Sequence, residues 1–180
     1  MKMKSVKVEL TGETPLLMHN IEGADLDQKT RKSLKTYDSK EEAEQAAYRT
    51  KDGELCVPSR CVYGMLRVAS GYFKTKGRSM KPVIAGSVRI EPENISLGVK
   101  KYEIDRQSVV VQRNRVLRSR PKIAEWKLKF DLLYNKDYIA DPDIIKQILE
   151  EAGVKVGLLD FRPATGGQYG TFSVTKFVPV

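Results

Sequence analysis

The chain has 180 residues, enough for one domain with a buried core of its own and no need of disulfide or metal staples. A composition 41% hydrophobic and 31% charged excludes a disordered chain, and no apolar run approaches the roughly 20 residues that span a bilayer. The net charge of +9 is unevenly placed: seven basic residues and no acid lie between Pro58 and Ile90, and six more with no acid lie between Arg106 and Lys122, leaving −4 for the rest.

The opening "MKMKSVKVELT" alternates Val6, Val8 and Leu10 with polar residues, the period-2 pattern of a half-buried strand. It lacks the apolar core of a signal peptide, so a cytoplasmic protein is expected. "GETPLLMHN" leaves the strand through Gly12 and Pro15. Residues 21–53 are polar, and within them "SKEEAEQAAYRT" combines a serine cap, early acids and alanines, which predicts a short helix. "ELCVP" reads as a short strand ending at Pro58. "SRCVYGMLRVASGYFK" is the clearest helix: Val62, Met65, Leu66 and Ala69 share a face that Phe73 continues, with Arg60, Arg67 and Lys74 off it. Gly71 and "KTKGRSMKP" end it in a basic loop carrying Lys74, Lys76 and Arg78.

"VIAGSVRI" is apolar and β-branched, a predicted strand, and "EPENISLG" a turn-rich connection. "RQSVVVQRNRVLRSRP" is strand-like but too rich in arginine to be buried on both faces, which predicts a hairpin or extended arm. "KIAEWKLKFDLLYN" places Ile123, Leu128, Phe130 and Leu132 on one side, with Trp126 in the core after a one-residue irregularity, a long amphipathic strand. In "DPDIIKQILEEAG" Asp141 caps a helix, Pro142 takes its first position and Gly153 closes it. "FRPATGGQYG" is a glycine-rich loop, and "TFSVTKFVPV" a closing strand.

Apart from insertions at about 12–57 and 91–122, the order is strand, helix, strand, strand, helix, strand. That order predicts an α+β, ferredoxin-like βαββαβ core, an arrangement shared by RNA-recognition folds, within a single domain of residues 1–180. The second insertion carries the basic arm.

Two cysteines, Cys56 and Cys61, have no second pair to complete a zinc site, and His19 is the one histidine, so neither metal nor cofactor is expected. The concentrated charge points instead to a polyanion-binding face. A helix starting after Pro58 offers backbone N–H groups to a phosphate, with Arg60 in its first turn and Arg67 two turns on. Gly64 serves either close approach of a nucleotide backbone or helix–sheet packing. In the glycine-rich loop, which matches no Walker or dinucleotide pattern, Arg162 is a counter-charge and Tyr169 a stacking surface. In the arm, Arg106 is followed by Arg113 and Arg115, then Arg118 and Arg120, each pair on a common strand face. These arginines face either a nucleic-acid backbone or the acids of a neighbouring protomer. Tyr63, Tyr72 and Tyr102 are further candidates for stacking on bases.

Pro58, Gly64 and Arg67 are spaced so that the segment resembles the "P-G-S-S-L-K-G-x-L-R" signature of the RAMP superfamily, whose members include backbone and processing subunits of CRISPR effector complexes. The signature's G-S-S-L-K is Ser59-Arg60-Cys61-Val62-Tyr63 here. "VELTGETPLLMHN" and "VGLLDFRPATGGQYGTFSV" look like that family's first strand and its terminal glycine-rich loop. "RVLRSRPKIAEWKLKFDLLY" with "GLLDFRPATGGQYGTF" is similar, over nearly the whole chain, to uncharacterised phage and prophage proteins of this size. The resemblance implies a thumb-like hairpin, in the place of the Arg106–Arg120 arm, that intercalates along a bound strand. It also implies an aspartate after the first strand in subunits that cut RNA, or a histidine there in processing ribonucleases. Asp25, Asp27 and Asp38 fall in that region without a matching motif, and His19 is the catalytic candidate.

The expected function is binding of single-stranded RNA or DNA without catalysis, as a backbone-type subunit assembling head-to-tail into a filament or with other subunits of a nucleoprotein complex. The alternatives are a metal-independent endoribonuclease using His19 or a loop aspartate, and a protein-binding module that caps or imitates a RAMP subunit. No membrane partner is expected.

Overall fold

The computed structural model describes residues 2–20, 38–111 and 113–180. Asp25 and Asp27 therefore lie outside the described residues. In chain order the elements are β1 (Met3–Gly12), β2 (Leu16–Leu17), α1 (Ser39–Gln45), β3 (Cys56–Pro58), α2 (Ser59–Ala69), β4 (Lys74–Thr75), β5 (Arg78–Ser79) and α3 (Lys81–Ser87). Then come β6 (Val88–Glu91), β7 (Asn94–Ser96), β8 (Glu103–Val111), β9 (Asn114–Ile123), β10 (Lys127–Asn135), α4 (Asp143–Lys155) and β11 (Phe172–Pro179). No helix among the described residues is long and apolar enough to cross a membrane.

Four strands form the main sheet in the order β11-β1-β10-β6, every neighbouring pair antiparallel. With α2 between β1 and β6, and α4 between β10 and β11, this is the expected ferredoxin-like topology. Period-2 alternation makes the sheet two-sided. Val6, Val8 and Leu10 of β1 and Leu128, Phe130, Leu132 and Tyr134 of β10 are buried, while Lys7, Lys127 and Lys129 face solvent. The two long helices cover the apolar side with Val62, Met65, Leu66 and Ala69 of α2 and Ile145, Ile148, Leu149 and Ala152 of α4. Each such large side chain contributes roughly 1.5–3 kcal/mol on burial, so this two-layer core dominates the stability. Trp126 joins it as expected, 5% exposed, edge-on to Phe172 and donating from Nε1 to the Thr14 carbonyl at 2.9 Å.

Five local expectations need correction. Residues 81–87 of the "VIAGSVRI" region form α3, not strand. Pro82 suits a helix's first turn, where its missing N–H is no loss, and the strand begins only at Val88. Gly153 does not close α4 but lies inside it: a Cβ there would sit 2.1 Å from the Phe172 carbonyl oxygen, so glycine lets the helix cross β11 closely. The helix runs on to Lys155, and Gly157 at φ +71 takes the left-handed turn after it. "EPENISLG" contains β7, which pairs with β3. "KIAEWKLKF" is split rather than bulged, since Ile123 ends β9 and β10 starts at Lys127. The α1 cap is Asp38, whose carboxylate accepts from the Lys40 N–H at 3.1 Å, with Ser39 already helical.

Candidate nucleic-acid interface

β8 and β9 pair from Glu103↔Lys122 to Val111↔Asn114, forming the expected hairpin arm, with Arg113 in the turn at φ 68. β2 pairs with β9 at its base, through Leu16↔Ile123 and Leu17↔Lys122. Cross-strand partners share a face, so Asp105 with Arg120 and Gln107 with Arg118 lie on one side, and Arg106 with Ser119 and Val110 with Arg115 on the other.

The expected pairing of Arg118 with Arg120 on one face holds, but that face is turned inward. Arg120 is 8% exposed; it donates from Nη2 to Asp105 at 3.1 Å and from Nη1 to Asp160 at 2.7 Å. Its Nε is buried with no hydrogen-bond partner among the described residues. Arg118 reaches Glu42 of α1 at 3.3 Å, and the same carboxylate accepts from the Ser119 N–H at 3.0 Å. Burying a guanidinium requires an anionic partner, and both arginines are committed to one. They are not free to hold phosphates, and Arg113 stands in the turn rather than on a strand face with Arg115. Arg113 and Arg115 are exposed toward the tip, beside Val110 and Leu117, which are 70% and 55% exposed, and Arg106 is exposed nearer the base, opposite Ser119.

A second basic group runs along α2 and beyond it. Arg60 is exposed in the first turn and Arg67 in the last. Lys74, Lys76 and Arg78 line a two-stranded hairpin, β4 with β5, whose turn places Lys76 and Gly77 at φ 47 and φ 77, the signature of a type I′ turn. The predicted basic loop is thus ordered. Among the described residues Arg67, Lys74, Lys76, Arg78, Arg106, Arg113 and Arg115 have no ion pair. At Gly64 a Cβ would meet nothing within 4 Å, which removes helix–sheet packing as its role.

The glycine-rich loop lies beside the β1–β2 connection, its Gly170 N–H donating to the Pro15 carbonyl at 2.9 Å. Burial pushes the Cys61 thiol up, against the opposing charges of Arg60 and Arg162. Arg162 is half-buried and donates to the Leu159 carbonyl at 2.6 Å. Tyr169 is half-buried, edge to face with Phe161 at 5.7 Å. His19 Nδ1 lies 3.5 Å from Asp160 Oδ2, the oxygen that also accepts from Arg120. Burial alone would raise Asp160, but the His19 and Arg120 hydrogen bonds, the Arg120 charge and the Phe161 N–H hold it down at about 2.

Glu42, Asp105, Asp160 and Phe161 had no local signal in the sequence as site residues. The three tyrosines offered for base stacking are engaged otherwise. Tyr102 donates to Glu44 at 2.8 Å, lies under the Arg49 guanidinium, and is pushed up to about 12 by burial and by Glu44. Tyr63 donates to the Ala85 carbonyl at 2.9 Å, and Lys155 sits over Tyr72.

No family model and no curated protein matches the chain. Among solved structures, a chain from the cryo-EM structure of the Type III-B Cmr-beta bound to cognate target RNA covers 99% of this chain with a TM-score of 0.54 and 14% identity. The two share a fold. This chain spans 61% of that neighbour's length, and at this identity the likeness is one of architecture.

Proposed function

We propose that the chain binds single-stranded nucleic acid, RNA before DNA, as a RAMP-type, backbone-like subunit of a nucleoprotein complex. The observation that carries this reading is the set of exposed cations without ion pairs among the described residues: Arg113 and Arg115 on the arm tip, Arg67 on α2, and Lys74, Lys76 and Arg78 on the β4–β5 hairpin. Such cations bind a polyanion by displacing its counterions, which is tolerant of sequence and sensitive to salt. The fold shared with a chain from an RNA-bound Cmr-beta structure favours RNA. Head-to-tail contacts between copies along one strand are part of the proposal.

The test is binding of purified protein to labelled single strands of about 40 nucleotides, long enough for several copies, across a salt series. Tight, salt-dependent, stepwise complexes are expected, stronger on RNA. Absence of binding at low salt would overturn the reading.

A second reading, metal-independent cleavage of RNA, is favoured by one geometry: His19 is held 3.5 Å from Asp160 beside the glycine-rich loop, as an acid–base imidazole would be. It requires that the bound RNA be cut, and that His19→Ala bind RNA without cutting it.

A further inference from the structure

Phe161 occupies the left-handed region at φ 49, two residues after Leu159 at φ 59. For a bulky aromatic this is an outlier that glycine would reach without strain. The surroundings over-determine it. The Asp160 N–H donates to the Leu17 carbonyl at 3.0 Å, the Phe161 N–H to the Asp160 carboxylate at 2.9 Å, and the Tyr169 N–H to the Phe161 carbonyl at 2.9 Å. Gly167 closes the far side, where a Cβ would sit 1.9 Å from the Phe161 oxygen. Strain held in this way concentrates at ligand-binding sites.

The kink itself has a structural task, aiming Asp160 at His19 and Arg120, but that task needs only the backbone conformation. It does not need an aromatic ring, and the ring is not buried in return: Phe161 is 44% exposed. Its contact with Tyr169 is edge to face, the planes at 74°, so the two rings form a notch rather than a closed stack. Arg162 is next in the chain, half-buried and donating to the Leu159 carbonyl, and the neighbouring Asp160 carboxylate is already paired with Arg120.

We infer that Phe161 and Tyr169 form a stacking notch for one unpaired nucleobase, with Arg162, next in the chain, toward the adjoining phosphate. An aromatic notch beside a cation matches an unstacked base on a charged backbone better than it matches an apolar protein segment. The inference rests on the nucleic-acid reading above and adds a base-dependent term to it, beyond phosphate contacts.

The experiment compares the wild type with Phe161→Asn, since asparagine tolerates the left-handed conformation but carries no ring. Both are titrated with an RNA single strand and with an abasic phosphodiester strand of equal length, across a salt series, with circular dichroism confirming the fold. The wild type should prefer the base-containing strand by roughly tenfold, and Phe161→Asn should lose that preference while its salt slope is unchanged. Phe161→Trp should retain it. Equal binding of both strands by the wild type, or an undiminished preference in Phe161→Asn, overturns the notch and leaves polyanion binding standing. No binding of either strand by the wild type overturns both.

Discussion

At the base of the β8–β9 arm Arg120 is 8% exposed and shared between Asp105 and Asp160, whereas toward the tip Arg113 and Arg115 stand in solvent with no ion pair among the described residues. Residue type is the same, and Arg115 and Arg120 even share β9. The difference is the neighbourhood: α1 and the glycine-rich loop reach the base with Glu42 and Asp160, and β8 adds Asp105. A guanidinium removed from water must be compensated by carboxylates, while an exposed one keeps its hydration and stays available to a diffusible anion. The base arginines therefore fasten the arm to the body, and the tip arginines are what the arm presents.

That division can be broken from either end, most severely at the base. Arg120→Met leaves Asp105 buried and unpaired and should destabilise the protein by about 3 kcal/mol, read by urea denaturation, with strand affinity nearly unchanged under folding conditions. A loss of affinity without loss of stability would reverse the assignment of Arg120. Arg113→Ala with Arg115→Ala should do the opposite. Stability should stay within about 0.5 kcal/mol, while the slope of log affinity against log salt falls by about 1.4 for two lost phosphate contacts on a single strand.

Acid probes the base more gently. The folded Asp160 carboxyl is depressed to about 2 from an ordinary 3.8, so its contribution is fully present above pH 4. That contribution is lost as pH falls from about 4 toward 2, and Asp160→Asn should flatten this limb of a stability–pH profile. The smallest effect is expected at Gly64. With nothing within 4 Å of its Cβ position, Gly64→Ala should raise stability by about 0.5–1 kcal/mol through helix propensity alone. If a bound strand approaches the helix there, the same substitution weakens binding as it raises the melting temperature.

Much of the frame was legible because its signals are local. The alternation of Val6, Val8 and Leu10 and the apolar face of α2 report burial through periods of 2 and 3.6, and Asp141, accepting from the Asp143 N–H at 2.9 Å, marks the start of α4, whatever the rest of the chain does. Misreadings fell where tertiary contacts override propensity. Gly153 resembles a helix stop, yet its lack of a side chain serves contact with Phe172, and β-branched residues at 83 and 84 enter a helix begun by Pro82. Of the site, the basic segments were visible but not their division into paired and unpaired members, and Phe161 gave no sign of itself. By itself, then, the sequence determined the βαββαβ order, the basic arm and the total charge. Which cations remain exposed was decided only by the tertiary structure, because electrostatic compensation depends on distance through space, and the acids responsible come from three separate segments of the chain.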